Sequence, residues 1–371
     1  MLELADVVRR FGASYRQRYG ARMPPSHRAA LYDLESCRTP ARGGQVWRCD
    51  QDACQAVRYA YHSCRNRSCP KCHREQTAQW LARRCARLPA CRYFLVTVTL
   101  PSELRALARS HQRAVLGALM QTAAAALLTL TSDPVWLGAT PAVLAVLHTW
   151  TQDLRYHPHV HLLVSAGGLD RAGRWVEPRH PEYLLPSAAL ARIFRGKMAA
   201  ALRRVRLLSG VPVSVWSKPW VLHCQHAGDG EKVLEYLARY VFRVAITNAR
   251  IEAIEETGIT FRARDRRSGE VKHCTLPPLV FLARFLQHVL PKGFVKVRSY
   301  GLLAPRNRRR RELLRTLLEL PVTTSRPPAP AADAKLSPLP APPPRPPLRC
   351  PLCQVGIMQR VQQLPPRRGP P

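Results

Sequence analysis

The stretch His157-Pro158-His159-Val160-His161-Leu162-Leu163-Val164 sets the tightest condition on the fold. Histidine and apolar residues alternate here with a period of two. That is the period of a β-strand, in which successive side chains leave opposite faces. The strand must then show His157, His159 and His161 on one face and Val160 and Leu162 on the other. Three imidazoles on one face, backed by an apolar layer, can hold a divalent ion on a rigid element. Pro158 cannot donate to a sheet ladder and belongs at the strand's start or edge, so His157 is less securely in register than the other two.

The flanking sequence supplies a sheet for this strand. Residues 92–100 are rich in β-branched and aromatic side chains and close on Pro101, and residues 142–150 form a second such run. Between them, an Ala/Leu-rich helix is expected from Ser102 to about Leu130. Its apolar part, from Val115 to Thr131, is interrupted by Gln121 and several Thr, so it reads as a buried helix and not a membrane span. Gly167-Gly168 is expected to turn the chain after the third strand, followed by a polar turn at 170–174 and a basic helix over 187–208. His148 and Asp153 lie close enough in sequence to join the histidine site. Further on come a strand at 220–224, a helix at 231–240, a hairpin over 251–275 turning at Ser268-Gly269, a helix at 279–290 and a strand at 294–298. The fold class is α+β, a central antiparallel sheet with flanking helices.

Upstream of the sheet, Val7, Val8, Phe11 and Tyr15 recur at helical spacing among arginines. Six cysteines follow within residues 37–72, with His62 and His73 interleaved. The N-terminus lacks the basic and apolar regions of a signal peptide, so a cytoplasmic location is expected, where thiols serve metals better than disulfides. Cys69-Pro70-Lys71-Cys72 is a zinc knuckle, and Cys49 and Cys54 offer the second pair, with Cys37, Cys64 and His62 as further candidates. These groups exceed one tetrahedral site, so a second ion or several spectator thiols are implied. The knuckle Cys350-Pro351-Leu352-Cys353 stands alone near the C-terminus and offers half a site.

The formal charge of +34, from 58 Lys+Arg against 24 Asp+Glu, points to a polyanion, most often nucleic acid. Arg65, Arg67 and Lys71 around the knuckle are expected on phosphate, while Trp47, Tyr59 and Tyr61 could stack bases or form the module's small core. Tyr236 and Tyr240 share one face of a helix, one turn apart. From Pro321 onward proline dominates, and a mostly disordered tail is expected.

Taken together, these motifs resemble the rolling-circle, two-tyrosine transposases with a His-hydrophobic-His (HUH) endonuclease domain, specifically the insertion sequence ninety-one family. The matching residues are Ser63-Cys64-Arg65-Asn66-Arg67 with Cys69-Pro70-Lys71-Cys72, Leu147-His148-Thr149-Trp150, and Tyr156-His157-Pro158-His159-Val160-His161. They continue with Tyr236-Leu237-Ala238-Arg239-Tyr240, Arg243-Val244-Ala245-Ile246 and Phe285-Leu286-Gln287-His288-Val289-Leu290-Pro291. The resemblance implies an N-terminal zinc-binding, DNA-contacting module over 1–90, an HUH-type catalytic domain over 91–303, and a basic helix with the Pro-rich tail over 304–371. It further implies Mg²⁺ or Mn²⁺ on His157, His159 and His161, Tyr236 and Tyr240 as nucleophiles supported by Arg239 and Arg243, and single-stranded DNA as substrate. The product would be a 5′-phosphotyrosine. A replication initiator or relaxase of the same chemistry, and a noncatalytic zinc-dependent DNA-binding protein, are the alternatives.

Overall fold

The computed structural model describes residues 2–72, 88–180, 182–229, 245–265, 268–318 and 347–367. These form two compact units, one of residues 1–35 and 66–320, the other of residues 36–65 and 321–371. Among the described residues, the helices longer than one turn are α1 (Leu4–Tyr19), α2 (Pro25–Glu35), α3 (Arg105–Ser110), α4 (Gln112–Thr131), α5 (Ser187–Arg204), α6 (Pro278–Leu286) and α7 (Arg308–Leu317). The strands are β1 (Gly44–Cys49), β2 (Val57–Tyr61), β3 (Arg92–Thr99), β4 (Thr140–Trp150), β5 (Tyr156–Leu169), β6 (Trp175–Val176), β7 (Leu222–Asp229), β8 (Ile251–Ile254), β9 (Ile259–Arg264), β10 (Val271–Leu276), β11 (Val297–Gly301) and β12 (Met358–Leu364).

The first unit is built on an antiparallel sheet in the order β11-β4-β5-β3-β7, with β6 added beside β5. Both faces of its central strands are covered, which is why β3, β4 and β5 read as near-continuous apolar runs. On one face, Val96, Val143, Leu147, Val160, Leu162 and Val164 pack with Leu116 and Leu119 of α4 and Phe194 of α5. On the other, Tyr93, Leu144, Val146 and Leu163 meet Leu302 and Leu314, the latter from α7. This second face also carries the histidines, since His159 and His161 alternate with Val160 and Leu162. α4 is long and apolar enough to cross a membrane, but most of it is buried within this core.

Two local details depart from the sequence expectation. The helix after Pro101 is divided: a short 3-10 turn leads into α3, and the chain bends at His111 (φ −123°, ψ 49°) before α4. Ser110 returns its hydroxyl to the Ala106 carbonyl at 3.2 Å, a bond that competes with the helix ladder and bends helices. Gly167 and Gly168 do not turn the chain; they lie inside β5, and the turn falls at 170–174. At Gly167 (φ +142°) a Cβ would stand 2.3 Å from the Trp175 ring, so glycine lets that indole lie against the strand. Residues 251–276 form three strands in the order β10-β9-β8, with the β9–β10 turn around Gly269 (φ +75°). Phe261 of β9 meets Phe281 of α6 edge-to-face at 5.7 Å. Val7, Val8, Phe11 and Tyr15 are buried on α1, as their spacing predicts.

The second unit is a three-stranded antiparallel sheet, β12-β1-β2. β12 lies beyond the proline-rich stretch, near the end of the segment expected to be mostly disordered, and pairs with β1 over residues 358–364. Gly43 (φ +65°) allows this close pairing, because a Cβ there would stand 2.5 Å from the Leu364 carbonyl oxygen.

Candidate metal centre and cysteine sites

Sheet register assembles the histidine site. His148 on β4 lies directly opposite His159 on β5, and His161, two residues along, faces Val146 on one side and Thr97 of β3 on the other. Directly opposed and diagonal residues on one sheet face are within side-chain reach. His148, His159 and His161 are all buried, and their ligand nitrogens lie within 4.8 Å of one another. Ring centroids are 5.3 Å apart for His148–His159, 4.8 Å for His148–His161 and 4.9 Å for His159–His161. His159 Nδ1 donates to the His157 carbonyl oxygen at 2.7 Å, which fixes the tautomer that leaves Nε2 as a lone-pair donor. The Thr97 hydroxyl sits 3.0 Å from Nδ1 of His161. Three imidazoles in their neutral form would offer a donor set suited to a divalent ion of the Mn²⁺ or Zn²⁺ type, and a weaker one for Mg²⁺.

His157 is not in this group, and its place is taken by His148. Arg105 donates to His157 Nδ1 at 2.7 Å, and a guanidinium can only donate, so that nitrogen accepts and is committed. The bulge between His148 and Trp150 opposite the start of β5 explains the shift. Past it, His157 falls out of direct pairing and is half-buried at the edge of a cleft of about 630 Å³ lined by Trp150, Arg155, Arg264, Lys272 and Asp153. Asp153 therefore lines the cleft and is not among the clustered histidines. Burial raises its carboxyl, but the Thr151 hydroxyl and Arg155 outweigh this and hold it below the usual carboxylate range. His288, which the residue chemistry alone did not single out, is buried behind the β4–β5 connection, with Nδ1 3.2 Å from Thr149 Oγ1 and Nε2 3.2 Å from the Leu154 carbonyl oxygen. Leu154 itself is a buried non-glycine residue at φ +62°, a strained conformation held within the β4–β5 connection.

The basic residues around the knuckle separate into different roles. Arg67, expected on DNA, donates instead to the backbone carbonyls of Phe294 (2.6 Å), Pro291 (2.7 Å) and Leu290 (2.9 Å), and burial pushes its guanidinium below the usual value. Its planar fork suits three converging acceptors, so it holds the 290–294 segment. Lys71 pairs with Glu3 at 2.5 Å. Arg65 is exposed in a left-handed conformation (φ +52°). Tyr59 is exposed on the edge strand β2 and stacks on Tyr61 at 6.1 Å, so this pair forms a surface and not a core. Tyr236, Tyr240, Arg239 and Arg243 lie outside the described residues.

The cysteines regroup across the chain. Cys49 and Cys54 do not share a site with Cys69 and Cys72; they meet Cys350 and Cys353, with Sγ–Sγ distances of 3.7 Å for Cys49–Cys353 and 3.8 Å for Cys54–Cys350. Proximity in sequence misled here, because the β1–β12 pairing brings the C-terminal knuckle to Cys49. The backbone N–H groups of Gly356 and Val355 hold the Cys353 thiol down, to about 6. Cys37 and Cys64 are buried in the second unit, while Cys69 and Cys72 belong to the first. His62 is exposed, and its carbonyl accepts from the Arg38 N–H at 3.2 Å.

Two families of known proteins match this chain. A family described as "Transposase zinc-binding domain" matches residues 7–100, and one described as "Putative transposase" matches residues 142–311. The chain is 37% identical over 351 residues to the Sinorhizobium fredii protein named "Putative transposase y4qJ", covering 88% of this chain and 87% of that one. It is 31% identical over 292 residues to the transposase for insertion sequence element IS801 of Pseudomonas savastanoi pv. phaseolicola, covering 73% and 68%. No solved structure matches. The zinc-binding match and the cysteine clusters assign structural zinc to this protein, and the transposase matches assign it DNA as substrate. With the relatives aligned along most of its length, the chain belongs to the IS91 family of transposases.

Proposed function

We propose that this transposase nicks and rejoins single-stranded DNA at the ends of its mobile element, through a tyrosine nucleophile and a divalent ion held by histidines. The observation that carries the reading is the convergence of His148, His159 and His161 on the central strands, beside a cleft whose charged lining is Arg155, Arg264 and Lys272 with Asp153 and Asp265. Mg²⁺ or Mn²⁺ bound there would neutralise charge on the scissile phosphate.

The chain's own residues supply the rest. Tyr236 or Tyr240 is the nucleophile, with an unperturbed phenol pKa of about 10, so cationic neighbours such as Arg239 and Arg243 favour the phenolate. The phenolic oxygen bonds to phosphorus, the bond to the 3′ oxygen breaks, the phenolic proton passes to solvent, and the departing 3′ oxygen takes a proton. The 5′-phosphotyrosine keeps the phosphodiester's energy, and attack by a 3′-hydroxyl reverses the step without ATP. Two tyrosines permit two cleavages within one active site. Trp150 in the cleft offers a stacking face for an unpaired base, and Arg155 and Arg264 offer phosphate contacts. Tyr59 and Arg65 in the amino-terminal module would add to DNA binding. Such a reaction places the protein with the DNA in the cytoplasm.

The test incubates the protein with single-stranded DNA from its element's termini and Mn²⁺, then looks for a denaturant-stable protein–DNA adduct. The wild type is expected to form one, and His159→Ala/His161→Ala and Tyr236→Phe/Tyr240→Phe are expected to form none. DNA that is bound without any adduct refutes the catalytic reading, and an adduct in the double-tyrosine variant refutes the nucleophile assignment.

A further inference from the structure

We propose that Cys350 and Cys353 complete, with Cys49 and Cys54, a four-thiolate zinc site that fastens the chain's C-terminal segment to β1. The zinc-binding match ends at residue 100 and so leaves this pair unassigned. The inference uses none of the residues of the strand-transfer reading and stands apart from it.

Distances decide the chemistry first. A disulfide needs sulfurs about 2.05 Å apart, well below the 3.7 and 3.8 Å observed. Sulfurs at about 2.3 Å from a tetrahedral zinc are about 3.8 Å from one another, since a tetrahedron's edge is about 1.63 times its centre-to-vertex distance. All four sulfurs lie within 4.8 Å of one another.

The two halves are also built alike. Gln55 N–H donates to the Gln51 carbonyl at 3.1 Å and Gln354 N–H to the Cys350 carbonyl at 2.9 Å, so the second cysteine of each pair sits on a tight turn, and the first donates its N–H across the loop, Cys49 to Ala56 at 2.9 Å and Cys350 to Gly356 at 2.7 Å. In each, the residue after the second cysteine is a glutamine in the left-handed region, Gln55 at φ +42° and Gln354 at φ +59°. Two strained turns of the same hand around four converging sulfurs form a built site, because strain of this kind persists only where the surroundings impose it.

Neighbouring residues fit this arrangement. A Cβ at Gly356 would stand 2.4 Å from Cys49 Sγ, so that position has room for glycine alone. Gly356 N–H also donates to Cys353 Sγ at 3.3 Å, the usual support for a thiolate ligand. Asp50 ties the halves together twice: its N–H donates to the Ile357 carbonyl at 3.1 Å, and its Oδ1 accepts from Ile357 N–H at 2.8 Å. Around the sulfurs the apolar material is thin, chiefly Met358 with Trp47 and Ala56. A sheet this small holds its fold through metal more than through its core. Soft thiolates select Zn²⁺ over the hard cations.

The test is the zinc content of the purified full-length protein. Cys350→Ser/Cys353→Ser is expected to lose one zinc per chain relative to wild type, while Cys224→Ser/Cys274→Ser keeps the full content. Equal zinc in wild type and Cys350→Ser/Cys353→Ser overturns the proposal. Should that variant fail to fold, a protease site introduced within residues 321–346 of the otherwise unaltered chain gives a second measurement, made under reducing conditions. After cleavage the fragment carrying Cys350 and Cys353 is expected to stay with the body in zinc and to separate on chelation. A fragment that separates with zinc present, or stays after chelation, overturns the proposal as well.

Discussion

Replacing His288 by glutamine separates a structural histidine from the clustered His148, His159 and His161. His288 is 8% exposed, lies between the Thr149 hydroxyl and the Leu154 carbonyl, and stacks on Tyr156 at 6.1 Å. Burial pushes its pKa down to about 4, outweighing the Leu154 hydrogen bond, which raises it. The unfolded chain binds the same proton with a pKa of about 6.5, so acid favours unfolding. The stabilising contribution is complete above about pH 6.5 and is lost as pH falls toward 4. At pH 5 the ratio of proton-binding terms, about 33 to about 1.1, corresponds to a loss of about 2 kcal/mol. Glutamine takes up no proton and keeps one hydrogen bond, so His288→Gln should be less stable by about 1 kcal/mol at pH 7.5. Between pH 7.5 and 5 it should then lose about 2 kcal/mol less than wild type. Urea unfolding followed by tryptophan fluorescence suits the test, since Trp150 lies 6.1 Å from the His288 ring. Comparing the two proteins cancels groups they share, including His27, which burial also pushes down to about 4. Equal losses in both proteins over this range would refute the argument that His288 is buried neutral.

Two further outcomes follow from the site's geometry. In calorimetric Mn²⁺ titrations, His148→Ala should weaken binding by 100-fold or more, about 3 kcal/mol, whereas His157→Ala should weaken it by about 10-fold or less; the reverse order would return His157 to the metal. Arg67→Lys, which cannot span three carbonyls, should destabilise the first unit by about 2–3 kcal/mol while leaving the salt dependence of DNA binding unchanged. A shallower salt dependence with unchanged stability would place Arg67 on phosphate after all.

Which parts of this molecule could be read from sequence depends on the range over which each constraint acts. The strand at His159-Val160-His161 was legible because period-two alternation is a local property, as were β3, β4 and the apolar face of α1. What sets the third histidine is register, which is not local. His148 and His157 are equally eligible by residue type, but the regular β4–β5 register puts His148 opposite His159, and the bulge that follows at His148/Trp150 takes His157 out of direct pairing, where Arg105 donates to it. The cysteines repeat this at longer range. Cys69 and Cys72 looked like partners for Cys49 and Cys54 because they were near, yet β12 brings Cys350 and Cys353 from almost 300 residues away. Arg67 followed the same rule in reverse: a basic residue among cysteines reads as a phosphate contact until Phe294, Pro291 and Leu290 are seen to converge on it. In each case the residue type announced the chemistry of the group, and the pairing of distant strands or segments chose its partner. A lone half-site such as Cys350-Pro351-Leu352-Cys353 is therefore best weighed together with every other incomplete set in the chain, since two halves that each fall short of a tetrahedron can be the same site.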